Sequence, residues 1–461
     1  MTARTRFALA AIAAGALAAL LVPDAPAGLN LVVVALALAV AAAVAGAGEH
    51  PLRSLLLGTH AVALAASAAM RDAGWVVSGE LLGALALGSI AMSAPRHPRA
   101  IALASVAAVW RLGSGGRRVL DGAVGALPRA SGGQVLVAGR ALLLTGALLT
   151  IFGMLFAAGD RAFAQLAGDV LPDDLPIDDL PLRLVLFGLV TSLAGGLAQA
   201  AALRDAPAGA PRVRLGRGEW LLALVALNVL FALFVAVQLA VLFGGDGYVL
   251  STAGLTYAEY ARAGFAQLVV VAVLTLAVVG GALRWARTDG VRQGRLLRGL
   301  LAALCVLTLV VLASALHRLG LYEEAYGFTR TRLAVHAFLL FDAALFALVV
   351  AALAGGSRAW LGRATVALAA GAALAFWVSD PDRRIAAHNV ERWQATGRID
   401  VEYLSRLSAD AVPVLVRLPP ALRDPALRVQ RGRLARDRDG FAGANLARAR
   451  ARRAIAALPA P

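Results

Sequence analysis

WLLALVALNVLFALFVAVQLAVLF, Trp220–Phe243, opens a series of apolar runs that ends at Val378. The others are Gly264–Leu283, Leu300–Leu316, Leu333–Ala354 and Gly362–Val378. About 20 apolar residues, rising about 1.5 Å each, cross a hydrocarbon core roughly 30 Å thick. In lipid every backbone N–H and C=O must be bonded within its own segment, so runs of this kind are helices. Working outward, the same pattern recurs at Phe7–Val22, Leu29–Ala47, Ser54–Met70, Gly74–Met92, Gln134–Ala158 and Leu182–Leu203. The expected fold is all-α: a polytopic transmembrane helical bundle of about 11 spans with a small C-terminal helical appendage. Ile101–Trp110 is too short to span, and arginines flank it, so it is expected as an interfacial or loop helix.

Composition agrees. The 461 residues are 60% hydrophobic, against roughly half in a soluble domain. The formal charge is +16, with every cation an arginine and no lysine, a bias that points to a high-GC bacterial source. Most arginines stand beside apolar runs, where they set topology and meet lipid headgroups. They form no separate soluble patch, so nucleic acid is not an expected partner. The single cysteine, Cys305, lies in an apolar run. That excludes a disulfide framework and a thiolate metal site and leaves a packing role. Arg4 and Arg6, the first apolar run and Ala25-Pro26-Ala27 fit a signal peptide. The immediate second run fits an uncleaved helical hairpin better.

Orientation follows the arginines of the short loops. Arg284–Arg298 and Arg204–Arg217 mark cytoplasmic loops; the aspartate-rich stretch Gly159–Leu180 is expected outside. The N-terminus is then expected on the inner side of the bacterial cytoplasmic membrane. Gly244–Arg262, His317–Arg332 and the tail from Ser379 are outside. Three regions are expected: 1–133 with the N-terminal spans and a basic cytoplasmic loop, 134–378 as membrane core, and 379–461 as extracytoplasmic tail. In the tail Ile385, Ala386, Val390 and Trp393 share a helical face. Gly397 stops that helix, and Asp400 caps a second bearing Leu404 and Leu407. Pro413, Pro419 and Pro420 then interrupt the helical pattern. A last arginine-rich helix occupies roughly Phe441–Leu458. The tail leaves the last span without a linker. It is therefore expected to dock on the neighbouring loops, with Trp393 as principal apolar anchor and His388, Asn389, Glu391 and Arg392 making polar contacts.

Soluble-enzyme motifs are absent: no P-loop, no His-Glu-x-x-His, no Gly-x-Ser-x-Gly. No cofactor or metal is expected. Two external loops concentrate polar groups, Tyr257, Glu259, Tyr260 and Arg262 in one, Tyr322, Glu323, Glu324, Tyr326, Arg330 and Arg332 in the other. Tyrosine and arginine at span ends also serve as anchors. Carboxylates among them can bind a headgroup or sugar, or move protons. Asp342 stands near mid-depth of its span, where an acid is a functional candidate. Asn228 and Gln238 are candidate interhelical hydrogen-bonders; Glu80 and His336 are further polar groups within spans.

Four strings, VAVQLAVLFGG (Val235–Gly245), GLTYAEYARAGF (Gly254–Phe265), LYEEAYGFTRTRL (Leu321–Leu333) and ATGRIDVEYLSRLSADAVPVL (Ala395–Leu415), carry a family resemblance. Over roughly Gln134–Leu415 the chain resembles a bacterial integral-membrane family, domain of unknown function 4173, close to its sister group 4153. The resemblance implies a polytopic cytoplasmic-membrane protein and brings no activity or cofactor. It puts weight on the two loops and the tail as one assembly. The leading expectation is a non-enzymatic protein of unknown function presenting that polar face to an envelope protein, lipid or glycan. The alternatives are a membrane enzyme acting on a lipid-linked or envelope substrate, with Glu259, Glu323 or Glu324 as acid or base, and a transporter using Asp342.

Overall fold

The computed structural model describes residues 2–46, 51–93, 98–124, 180–200, 215–243, 265–355, 360–436 and 439–458. Among them the regular elements are helices, and the one extended pairing is a single bridge between Leu215 and Ala286. Among the described residues, eight helices are long and apolar enough to cross a membrane. They coincide with eight of the expected spans. Leu29–Ala47 and Gly264–Leu283 coincide with shorter apolar helices, and Gln134–Ala158 lies outside the described residues. By contacts the chain separates into two compact units: 1–206 with 408–410 and 429–461, and 207–407 with 411–428.

The first unit begins with α1 (Ala3–Leu21), α2 (Leu29–Ala45), α3 (Pro51–Ala65), α4 (Ser67–Met70), α5 (Gly74–Ser93), α6 (Pro98–Trp110), α7 (Leu112–Val124) and α8 (Leu180–Ala200). Lipid tails are as apolar as leucine, so burial from water does not drive these helices together. Close packing of small residues does. On α1, Ala8, Ala11, Ala14 and Ala18 are buried at three- and four-residue spacing. A Cβ on Gly15 would overlap the Thr191 hydroxyl of α8. At the α7–α8 crossing a Cβ on Gly115 would overlap the Ser192 carbonyl, and one on Gly195 would overlap the Gly115 backbone.

Ile101–Trp110 coincides with a shorter apolar helix, outside the eight long ones. Helix α6 buries Ala100, Ala104, Ala107 and Ala108 and packs on α5 and α8. Its packing face is alanine, and the chain continues past Arg111 into α7. Arg111 Nη1 donates to the Gln199 carbonyl and Ser114 to the Gln199 side chain, which satisfies the polar groups at the junction.

The second unit contains α9 (Arg217–Phe243), α10 (Phe265–Trp285), α11 (Val291–Tyr326), α12 (Arg330–Ala354), α13 (Leu361–Val378), α14 (Pro381–Thr396), α15 (Val401–Ser405) and α16 (Val412–Leu415). Helix α11 has 36 residues, about 54 Å at 1.5 Å per residue, so it outruns a hydrocarbon core at both ends. Leu301, Leu304, Cys305, Val311, Leu312 and Ala315 of α11 form a stripe that packs with Trp220, Leu224, Leu339 and Phe346. The cysteine is buried, in the packing role expected of it. Asn228 Nδ2 donates to the Leu300 carbonyl at 3.2 Å, the interhelical bond its sequence position suggested; the side chain of Gln238 lies outside the described residues.

The tail divides between the units. Its first part, to Leu407, belongs to the second unit. Helix α17 (Pro420–Arg436) starts at Pro420, so this proline opens a helix at its first position, where no N–H is needed, and does not merely end one. The closing helix α18 (Leu446–Ala456) belongs to the first unit and starts later than expected, at its Asn445 cap. Its Arg448 is inserted among the first unit's loops. Nε donates to Asp439 at 2.6 Å, Nη1 to Asp72 at 2.9 Å, and Nη2 to the Ala27 and Gly443 carbonyls. Asp72 also accepts from Arg433 and the Ala409 amide, and Asp410 accepts from the Asp72 and Ala73 amides. The loops at 22–28 and 71–73 thus meet the tail on one face of this unit.

Candidate functional site

The site grows from the turn between α11 and α12. Gly327 ends α11 at φ +78°, a left-handed conformation that favours glycine. Its space is also needed: a Cβ there would overlap Asn389 Oδ1. Two residues on, the Thr329 side chain accepts from the Arg332 amide and caps α12. The short sequence Gly327-Phe328-Thr329 therefore stops one helix and starts the next.

The tail closes over this turn with side chains aimed at exposed backbone. Asn389 Oδ1 accepts from the Phe328 amide at 3.1 Å, and its Nδ2 donates to the Phe328 carbonyl at 2.9 Å. Both hydrogen-bonding groups of Phe328's backbone are satisfied by one side-chain amide. Arg392 Nε donates to the Glu324 carbonyl at 2.9 Å and Nη2 to the Ala325 carbonyl. These are the C-terminal carbonyls that α11 leaves without intrahelical partners, and a cation also complements the helix dipole there. The rings of Phe328 and His388 lie 4.0 Å apart. Ile385, Ala386, Leu404 and Leu407 are the buried apolar residues of this part of the tail. Trp393, expected as principal anchor, is only half-buried; the larger ring sits toward the end of its helix, whereas Ile385 sits one turn from its start.

Charge locks the arrangement. Arg330 makes a bidentate pair with Asp382, Nε to Oδ1 at 2.9 Å and Nη2 to Oδ2 at 2.5 Å. The Asp382 side chain is fully buried. The Arg330 amide donates to the Tyr403 hydroxyl at 2.7 Å. Burial pushes the Tyr403 hydroxyl above its usual range, and the bond and charge from Arg330 partly offset this. Arg332 donates to the Gly327 carbonyl and lies 4.2 Å above the Tyr322 ring.

Glu323 faces inward. It is 3% exposed, its Oε2 lies 3.6 Å from His336 Nδ1, and Oε1 has no hydrogen-bond partner among the described residues. Its neighbour Glu324 is exposed, as is Tyr326. His388 and Glu391, 4.0 Å apart, have side chains 50% and 71% exposed. The structure thus brings Tyr322, Glu323, Tyr326, Arg330 and Arg332 together with His388, Asn389 and Arg392. The second loop's Tyr257, Glu259, Tyr260 and Arg262 lie outside the described residues. Asp342 stands apart, buried in α12 with Oδ2 unpartnered among the described residues. Sequence reading missed Asp382 and Tyr403. Asp382 reads as an ordinary acid in a helix's first turn, and Tyr403 carries no local sign of an amide 73 residues away.

A family model described as domain of unknown function (DUF4153) matches residues 58–418. It is the sister group of the family that the four strings resembled, and the match starts well before Gln134, within the N-terminal spans. No curated protein and no solved structure matches the chain.

Proposed function

The chain belongs to the DUF4153 family, and from that premise we propose that this multi-pass membrane protein presents a composite polar face to a component of the bacterial envelope. The face consists of the α11–α12 turn and the docked helix α14, on the outer side of the cytoplasmic membrane. One observation carries the reading: the polar residues divide by task. Arg330, Arg332, Asn389 and Arg392 are spent on Asp382, on carbonyls and on one amide. Arg330, Asn389 and Arg392 mount the tail, and Arg332 braces the turn itself. Glu324, Tyr326, His388 and Glu391 remain exposed beside them. A displayed set of two carboxylates, a phenol and an imidazole suits a partner rich in hydroxyl or amine donors, a glycan or a basic envelope protein segment.

The test is a quadruple variant, Glu324→Ala, Tyr326→Ala, His388→Ala and Glu391→Ala, in cells lacking the native gene. It is expected to reach wild-type membrane levels and to reproduce the envelope lipid and glycan profile of the deletion. A wild-type profile would sink the reading. A second reading, a membrane enzyme acting on a lipid-linked or envelope substrate, draws support from Glu323 beside His336, since a carboxylate can orient an imidazole for general base work. That reading requires the deletion profile in Glu323→Gln, with the quadruple variant indifferent.

A further inference from the structure

The two ends of helix α1 differ in how their arginines are met. The helix has 19 residues, about 28 Å at 1.5 Å per residue, close to the roughly 30 Å of a hydrocarbon core. Beyond its C-terminal end arginines meet acids. Arg183 pairs with Asp24, Arg448 with Asp72 and Asp439, and Arg452 with Asp439. At its N-terminal end they do not. Arg4 and Arg6 are exposed on the first turns of α1, and Arg117 and Arg118 are exposed on α7. None of these four has a carboxylate partner among the described residues. Helix α7 is seated across α8 and α1 by two glycines. A Cβ on Gly115 would overlap the Ser192 carbonyl of α8, and one on Gly122 would stand 2.9 Å from the Arg4 carbonyl. Val119, on the same side of α7, is buried in one apolar cluster with Phe7 and Ala194. The other side of α7 exposes Gly113, Arg117, Arg118 and Asp121. The Arg118 guanidinium lies 5.9 Å from the centre of the Phe7 ring, within one turn of Arg4.

We propose that Arg4, Arg6, Arg117 and Arg118 form a discrete site for the phosphate of an anionic phospholipid. Guanidinium groups present planar forks of donors that match phosphate oxygens. Four of them gathered around a single acid, Asp121, repel one another until an anion joins them. Topology alone asks only for cations near the end of a span. It does not ask for two helices packed so that their arginines meet. A basic, amphipathic helix held beside the end of a span is the arrangement that attracts anionic lipid. The source of the phosphate is a lipid because apolar surface continues inward from the arginines. Leu9 follows Arg6 along α1 and is 50% exposed, which gives an acyl chain a wall to lie on. The arginine-based orientation puts this end at the cytoplasmic leaflet. The site lies wholly in the first unit and shares no residue with the displayed face.

The experiment is native mass spectrometry of the full chain, purified in a neutral detergent and mixed with equal amounts of phosphatidylglycerol and phosphatidylcholine. Phosphatidylglycerol adducts are expected to survive collisional activation that strips phosphatidylcholine. The variant carrying Arg4→Gln, Arg6→Gln, Arg117→Gln and Arg118→Gln should lose that preference by about tenfold or more, since each basic residue near the surface adds to the attraction. A control that removes equal charge, Arg292→Gln, Arg295→Gln, Arg450→Gln and Arg453→Gln, should keep it. No preference in the wild type, or equal loss in the two variants, overturns the proposal. Inorganic phosphate, added in excess as its ammonium salt, should leave the adducts in place. Their displacement would assign the site to a soluble phosphate and overturn the lipid reading. Should the first variant fail to fold, Asp121→Asn decides. Removing the acid from the exposed side of α7 should raise phosphatidylglycerol retention, and unchanged retention overturns the proposal.

Discussion

Arg448 is 1% exposed and still has a partner for each guanidinium nitrogen. An arginine so placed needs its planar fork of donors; lysine could not reach two aspartates and two carbonyls at once. Breaking a buried ion pair from one side costs about 3–5 kcal/mol, because the partner charges stay behind. Here Asp72 keeps Arg433 and Asp439 keeps Arg452, which places Arg448→Met near the lower end, about 3 kcal/mol. Unfolding in mixed micelles should show that loss, whereas exposed Arg453→Met should stay within about 0.5 kcal/mol of wild type. Equal stability of the two variants would mean that the buried network contributes nothing. Gly327 is the corresponding single-residue decision in the second unit. Both its φ of +78° and the space taken by Asn389 exclude a side chain.

At the scale of elements, the turn and helix α14 are made for each other by backbone chemistry. Helix α11 ends with open carbonyls, and Arg392 brings donors to two of them. Asn389 closes the peptide groups of Phe328. Side-chain bonds to backbone do not depend on the sequence of the turn beyond its shape, so the docking is geometric. Cysteines replacing Phe328 and His388, whose rings are 4.0 Å apart, should be joined by a short bis-thiol reagent in membranes in a Cys305→Ala background. The link should fall several-fold when Asn389→Leu is added. A link of equal yield with and without Asn389 would show that α14 is held by its apolar face alone. Glycine contacts act in the same way at the α7–α8 crossing, where the Gly115 and Gly195 backbones meet without side chains between them.

For the whole molecule the membrane frame sets the rules. Exposed leucines of α9 such as Leu222, 74% exposed, and Leu233, 63% exposed, are at no disadvantage where the surroundings are hydrocarbon. In the first unit the loops at 22–28 and 71–73 share a face with Arg448. An even number of crossings must therefore separate these segments. The arginine-based orientation puts that face outside. Single cysteines at Asp24, Phe441 and Glu324, in a Cys305→Ala background, should react with an impermeant thiol reagent in intact cells. A cysteine at Arg292 should not. Reaction at Arg292 with protection of the other three would invert the orientation and move the polar face to the cytoplasm.

The helical membrane class was legible from the apolar runs alone, because hydrocarbon accepts no other backbone arrangement for an isolated segment. So were the stop at Gly397, the cap at Asp400 and the packing role of Cys305, which depend on neighbours a few residues away or on burial within one helix. The concentration of polar residues at Tyr322–Arg332 was also visible. Only the tertiary structure decided which of those residues are spent and which are displayed, since adjacent Glu323 and Glu324 differ by one helical step and end on opposite sides of a buried surface. It alone paired Arg330 with Asp382 and placed Arg448 between Asp72 and Asp439. The reason is physical. A helix forms under local constraints of spacing and capping, but a buried charge finds its partner across hundreds of residues, 376 from Asp72 to Arg448, and no local pattern records that distance.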